Sequence, residues 1–243
     1  MTTWSTQQHR HFDQQVEAYD TLYGRDTPFH AAMIKQLINL VGVQSGEEVL
    51  DIGCGFGRVT IPLLKAGCRV TALDISEPTL QALRRRVEEL HLTALFTPIL
   101  RPAEHIDFQK RFKVVTGRGI LHHLEDPLDV LRRVYAALVP TGRAVFMDPN
   151  PLQPLWMPFI LIHPALSWSV ERKMWRGTPR RTRRLLEQVG FRGVAHRFIG
   201  LVPPPVWAVT SWAAEIEGWL RSVPFLRNLA LYMLVYGHRS ADL

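Results

Sequence analysis

The stretch VLDIGCGFGRVT, residues 49–60, sets three glycines at every second position directly after an apolar run that ends in Asp51 and Ile52. A backbone this bare gives up entropy and side-chain burial, and in return it can adopt positive φ and lie directly against a ligand. The apolar run reads as a strand, so the loop sits at a strand's carboxyl end, where open α/β sheets bind their ligands. Spacing excludes two common occupants. A dinucleotide fingerprint, Gly-x-Gly-x-x-Gly, needs a glycine where Arg58 stands, and a phosphate-cradling loop would end in Gly-Lys-Ser/Thr, which is absent.

The surrounding pattern alternates. From Pro28 to Asn39 apolar residues recur at helical spacing, and Gly42 to Gly46 stops that helix. EVLDIG, RVTALDIS, ALFTPILR, KVVTGRG and RAVFMDP read as strands, separated by the helices RVTIPLLKAG, SEPTLQALRRRVEELHL with Ser76 as its N-cap, and DPLDVLRRVYAALVP. Further on, RRTRRLLEQVG is a helix closing at Gly190, and GVAHRFIGLV and ALYMLVYGHR are strands. Strands alternating with helices predict an α/β, Rossmann-like fold with a mostly parallel sheet covered on both faces.

At 243 residues the chain suits a single α/β domain. Its two cysteines, Cys54 and Cys68, and a polar start imply reduced thiols and a cytoplasmic setting. The charge of +7 is unevenly spread: residues 1–150 hold 17 basic and 17 acidic side chains, and residues 151–243 hold 12 and 5. Six of the seven tryptophans fall in that last part, in two apolar insertions, Pro151 to Trp175 and Pro203 to Leu229. Neither is a membrane span, since prolines interrupt the first and Glu215, Glu217 and Arg221 the second. Basic charge mixed with tryptophan and leucine suits an anionic bilayer surface or an amphiphilic ligand better than nucleic acid. A sheet cover or a homodimer interface is the competing use of the tryptophans.

Asp51-x-Gly53-x-Gly55-x-Gly57, with a strand ending in Asp74 some twenty residues on, resembles motifs I and II of the class I S-adenosylmethionine-dependent methyltransferases. FKVVTGRGILHHLEDP resembles the segment after strand 4 in the type 11, small-molecule branch of that family, and LRRVYAALVPTGRAVFMDP its next helix and strand. The resemblance implies one domain over residues 1–243, with N-terminal lid helices over 1–45, a cofactor-binding core over 46–150 and acceptor-side elements over 151–243. It implies a seven-stranded sheet with an antiparallel last strand.

It also implies S-adenosyl-L-methionine as cofactor. Gly53, Cys54, Gly55 and Gly57 would line its methionine side above Asp51, Asp74 and Ile75 would take ribose and adenine, and Gly117 and Arg118 would offer backbone carbonyls to the ammonium. Ala103 and Glu104 stand in the adenine segment, where Pro102 replaces the family's acid, and Tyr19 and Tyr23 fall in a segment resembling the family's lid. Methyl transfer needs no metal, and the histidines lack ligand spacing. His122, just past strand 4, would face the acceptor, removing a proton from a hydroxyl or polarising it, whereas its neighbour His123 would point away. Acceptor choice falls to the two insertions, so the expected partner is a small hydrophobic molecule such as a quinone, polyketide or lipid, reached from a membrane surface. Trp207, Trp212 and Trp219 would form an apolar lid, and the arginines between Arg172 and Arg184 would meet anionic headgroups. A polar acceptor such as a sugar, or a noncatalytic cofactor-binding protein, is the alternative.

Overall fold

The computed structural model describes residues 13, 27–163, 166–223 and 225–241. The chain forms α1 (Pro28–Val41), β1 (Glu48–Ile52), α2 (Thr60–Lys65), β2 (Arg69–Asp74), α3 (Glu77–Glu89), β3 (Phe96–Leu100), β4 (Phe112–Arg118), α4 (Pro127–Ala137) and β5 (Leu138–Pro149). There follow α5 (Trp156–Ile162), α6 (Trp168–Glu171), α7 (Pro179–Val189), β6 (Arg192–Ile199), α8 (Pro204–Val209), α9 (Ala213–Ser222) and β7 (Tyr232–His238). Tyr19, Tyr23 and residues 1–12 and 14–26 of the expected lid segment lie outside the described residues, while α1 falls within it.

The strands form one sheet in the order β3-β2-β1-β4-β5-β7-β6. The first five run parallel, and β7 pairs antiparallel with both β5 and β6, the arrangement expected from sequence. Strand alternation divides the core in two. Val49, Val114, Val145 and Met147 face a layer built with Leu37 of α1, Leu63 of α2 and Leu83 of α3. Leu50, Val115, Ala144 and Phe146 face the other, built with Val134 of α4 and Leu186 of α7. Strands buried on both faces explain why the sequence shows them as continuous apolar runs.

Four helices open on the same device, a capping oxygen followed by proline at the first or second helical position. Thr27 caps α1, Ser76 precedes Glu77 and Pro78 in α3, Asp126 caps α4 and Thr178 caps α7. One boundary differs from the sequence expectation. The helix before β5 stops at Ala137 and the strand begins at Leu138, with a register shift between its pairings to Phe112 and Val114. Pro140, which has no N–H to give a helix, and Thr141 at φ 62 account for the break.

The direction of the chain reverses between β1 and β4, so a crevice opens outside their carboxyl ends. The two insertions close over this side as one body. Asn150 Nδ2 donates to the carbonyls of Asn228 and Ala230, both at 2.9 Å, Gln153 Nε2 donates to the Leu229 carbonyl, and Trp156 Nε1 donates to the Leu231 carbonyl at 3.1 Å. Among the described residues no helix is long and apolar enough to cross a membrane.

The second insertion is anchored by Glu217 of α9, only 1% exposed, whose carboxylate accepts the backbone N–H groups of Gly200, Leu201 and Val202 at 2.7, 2.8 and 2.9 Å. Glu217→Ala strands three buried donors, and chemical denaturation is expected to show a loss of about 2–4 kcal/mol. Glu217→Gln, which keeps one acceptor oxygen, is expected to lose less.

Candidate active site

A cavity of about 210 Å³ lies at the carboxyl ends of β1, β2, β4 and β5. The glycine loop is its floor. Gly53 and Gly55 sit at φ +64° and +52°, and a side chain at Gly55 would enter open space rather than protein. The N–H groups of Gly53 and Cys54 donate to the Leu73 carbonyl at 2.7 and 3.1 Å, which lashes the loop to the end of β2. Asp74 completes the junction, accepting from the Gly55 N–H at 2.8 Å and the Ser76 N–H at 3.0 Å. Burial raises the Asp74 carboxyl above its ordinary range, and these backbone donors oppose the rise. Asp13 reaches the same corner, where its carboxylate accepts the Ser76 hydroxyl at 2.7 Å.

Asp51 lies beneath the loop. Its Oδ2 accepts the Thr60 hydroxyl at 2.6 Å, and its buried Oδ1 meets no donor among the described residues. Burial lifts this carboxyl to about 7, with the Thr60 hydrogen bond opposing and the charge of Asp74 adding to the rise. Cys54 is buried in the same wall, and burial followed by the charges of Asp74 and Asp51 pushes its thiol up, which makes it inert as a nucleophile.

The far half of the cavity has a different character. Trp156, Ile160, Leu166 and Met174 from the first insertion make an apolar wall, joined by Ile120 and Tyr232. Arg118 extends over the Tyr232 ring, 5.5 Å from its centroid, with Nη2 3.4 Å from the hydroxyl. His30, in the first turn of α1, is held neutral: burial, then the charges of Arg58 and Arg118, lower it to about 3.

His122 sits between two carboxylates. Its Nδ1 lies 2.6 Å from Asp148 Oδ1 and its Nε2 lies 3.4 Å from Glu171 Oε2, with all three side chains at most 9% exposed. Burial works against a charge on the ring, but hydrogen bonds to Asp148 and Glu171 and then their charges outweigh it and raise His122 to about 9. His122, His123 and Glu171 bring one ligand-type atom each within 4.8 Å of one another. Both imidazole nitrogens of His122 face carboxylates, which makes the cluster an ion-paired network.

Of the residues singled out from sequence, Asp51, Gly53, Cys54, Gly55, Asp74, Ile75, Ala103, Glu104, Arg118 and His122 all line this cavity. Gly57 and Gly117 do not. A Cβ on Gly57 would meet Leu83 Cδ1 at 2.3 Å, and one on Gly117 would meet the Ile52 carbonyl at 2.7 Å, so both glycines let backbone pack closely behind the wall. His122 and His123 do not point apart, because their rings stack with centroids 3.9 Å apart. The tryptophans expected as a lid are placed elsewhere: Trp207 packs on Phe29 of α1, and Trp212 and Trp219 are 72% and 67% exposed. The cover over the apolar half comes instead from the first insertion, through Trp156 and Ile160. Glu171 was not legible in sequence, since nothing in SWSVERKMW marks it off from an ordinary surface glutamate.

A family model described as a methyltransferase domain matches residues 50–144. Ubiquinone biosynthesis O-methyltransferase of Stutzerimonas stutzeri is 30% identical over 142 residues, covering 58% of this chain and 59% of the relative. The protein of the same name from Actinobacillus pleuropneumoniae is 33% identical over 113 residues, covering 43% and 47%. The chain thus spans about half to three-fifths of the length of these curated relatives, and the match does not extend over the whole molecule.

Among solved structures, Haemonchus contortus phosphoethanolamine N-methyltransferase 2, in complex with phosphomonomethylethanolamine and S-adenosylhomocysteine, matches with TM-score 0.70 at 16% identity, covering 100% of this chain and 61% of that one. The [4+2]-cyclase SpnF matches with TM-score 0.71 at 12% identity, covering 98% and 97%. At these identities the structures speak for the fold. The matched segment ends before Asp148, so Asp148, Glu171 and the apolar wall are supplied by the chain beyond it.

Because His122 is raised from 6.5 to about 9, the stability it contributes is fully present below about pH 6.5 and is lost as pH rises through 9. Urea unfolding of the wild type and His122→Gln across that window is expected to show a stability difference that shrinks as pH climbs. Equal slopes for the two proteins would contradict the ion-paired ring.

Proposed function

We propose that this chain transfers the methyl group of S-adenosylmethionine to an oxygen or carbon of a small hydrophobic acceptor. The carrying observation is one cavity with two halves: a bare, anionic loop end for a cationic nucleoside and an apolar end for the molecule to be methylated. The residues fit the cofactor. Asp51 holds a buried oxygen without a donor, suited to the methionine ammonium, and Gly55 leaves the space above the loop free of a Cβ. Asp74 would accept the ribose hydroxyls, Ile75 and Ala103 would flank the adenine, and Glu104 and the backbone near Gly117 and Arg118 would border the site.

When bound, the sulfonium supplies a methyl carbon already activated for in-line displacement. The protein's task is then to align the acceptor and keep water out. Trp156, Ile160, Leu166 and Met174 suit that task for an apolar ring or chain and offer a sugar few hydrogen bonds. The relatives named for ubiquinone biosynthesis favour a quinone-type phenol within this class. Of the two roles expected for His122, a ring protonated up to about pH 9 argues against removing the acceptor's proton, and with both nitrogens facing carboxylates the ring has no N–H to spare for polarising it.

Delivery from a lipid surface is part of the same reading. Ile162, Trp212, Trp219 and Phe225 are 81%, 72%, 67% and 86% exposed on the insertions that cover the cavity, an arrangement suited to shallow burial in a bilayer. Arg172, Arg176, Arg180 and Arg181 are exposed nearby in sequence and suit anionic headgroups. Cosedimentation with phosphatidylglycerol vesicles is expected for the wild type and to weaken strongly for Trp212→Ala/Trp219→Ala/Phe225→Ala. Equal sedimentation of both proteins would remove the membrane from the proposal.

Calorimetry with S-adenosylhomocysteine tests the cofactor half. Asp74→Ala is expected to bind about thirtyfold more weakly, the equivalent of about 2 kcal/mol in lost charge-assisted hydrogen bonds. Asp51 adds a pH signature. The ligand's ammonium favours the ionised carboxylate, so binding should release a proton near and below pH 7 and weaken as pH falls through about 7. Asp51→Asn is expected to abolish that release. No uptake of the nucleoside by folded wild-type protein would end the methyl-transfer reading.

A further inference from the structure

We propose that Glu171, carried into the cavity by the first apolar insertion, takes the proton from an acidic hydroxyl of the acceptor, and that His122 and Asp148 hold its carboxylate in place. The inference rests on the methyl-transfer reading and deepens it by naming the reacting group, an ionisable phenol or enol. Three observations carry it. Both nitrogens of His122 are already occupied, Nδ1 by Asp148 at 2.6 Å and Nε2 by Glu171 at 3.4 Å, so an acceptor entering the cavity finds no free imidazole nitrogen. Glu171 itself lines the cavity, alongside the apolar wall formed by Trp156, Ile160 and Met174. It also comes from a four-residue helix of that insertion and is buried there, where a carboxylate costs stability that a leucine would not.

Taken by itself, the triad of two carboxylates and one imidazolium carries a net charge of about −1, which a proton on Glu171 neutralises. In the step proposed, the acceptor's O–H bond breaks, the proton goes to a Glu171 oxygen, and the electron pair stays on the acceptor oxygen, which becomes the nucleophile. Departure of the methylated product lets Glu171 return the proton to water. Charged or titratable groups bordering the cluster include Arg118 of β4, His123 and Glu125 after it, Glu104 after β3, Lys173 and Arg176 just past α6, and Arg181 of α7. Arg118 would favour the anionic form of a bound acceptor.

The probe is 4-nitrocatechol, whose anion absorbs in the visible, added to protein loaded with S-adenosylhomocysteine. In the wild type the bound probe is expected to show the anion band at a pH where the free probe is neutral. In the wild type the proton stays on Glu171, so formation of the bound anion from neutral probe is expected to release no net proton to the buffer. Glu171→Gln is expected to bind the nucleoside unchanged and to release about one proton for each bound anion, because the amide cannot take the proton and its neutral side chain favours the anion. Glu171→Asp is expected to retain the proton, and a thermal melt with the nucleoside bound checks that each variant is folded. Proton release from the wild type equal to that from Glu171→Gln overturns the proposal, as does a nucleoside-loaded wild type that takes up no probe or takes it up neutral. Failure of the wild type to bind the nucleoside overturns instead the methyl-transfer reading beneath it.

Discussion

The junction between β1 and β2 governs the rest of the molecule. Two consecutive amides of the glycine loop converge on the Leu73 carbonyl, and the next amide, that of Gly55, lands on the Asp74 carboxylate, so the ends of two strands are fastened by the loop's backbone donors. That fastening demands positive φ at Gly53 and Gly55, where any other residue would be strained. It also demands a parallel β1–β2 pair in a fixed register, Asp51 opposite Ala72 and Ile52 opposite Leu73, which the shared apolar layers supply. A single-residue slip would turn Asp51 into the wrong layer and carry Asp74 away from the loop. The site is therefore a consequence of sheet register, and the packing of α1, α2 and α3 on one face exists in part to hold it.

How legible a residue was in the sequence follows from how local its role is. The glycine spacing, the aspartate at the strand end, the Ser76 cap and the alternation of strands are all written within a few residues, and each was found where expected. Gly57 and Gly117 belonged to the same motifs but serve close packing behind the wall, a distinction that depends on Leu83 and on Ile52, distant in sequence. The apolar wall and Glu171 were less legible still. Their positions depend on how the first insertion folds back, and that is set by side-chain donors of Asn150, Gln153 and Trp156 finding carbonyls about 75 residues or more away. The tryptophan-rich composition announced an apolar element, while which tryptophan would face inward was decided by these tertiary hydrogen bonds.

The electrostatics of the two halves are complementary. Asp51 and Asp74 lie at the loop end, raised by burial and in need of a cation. Arg118 and the charged ring of His122 border the apolar end, and burial, with the charges of Arg58 and Arg118 adding to it, keeps His30 neutral. A cationic donor and an acceptor that becomes anionic as it reacts would each meet the opposite charge. Between buried groups such interactions are screened less than the same pairs would be on the surface.

Fold alone does not select the reaction, since the same architecture is shared with a protein described as a [4+2]-cyclase. What separates chemistries on this sheet is the group presented opposite the glycine loop. Here that group is not on the sheet: Asp148 ends β5, but the carboxylate reaching the cavity beyond His122 is delivered by α6, inside the same insertion whose Trp156, Ile160 and Met174 form the apolar wall. On the proposed reading, recognition of an apolar body and contact with its reactive hydroxyl would both fall to one structural element. An acceptor that fails to seat the insertion would also fail to meet Glu171, so selectivity by shape and competence for proton transfer are coupled in the same stretch of chain.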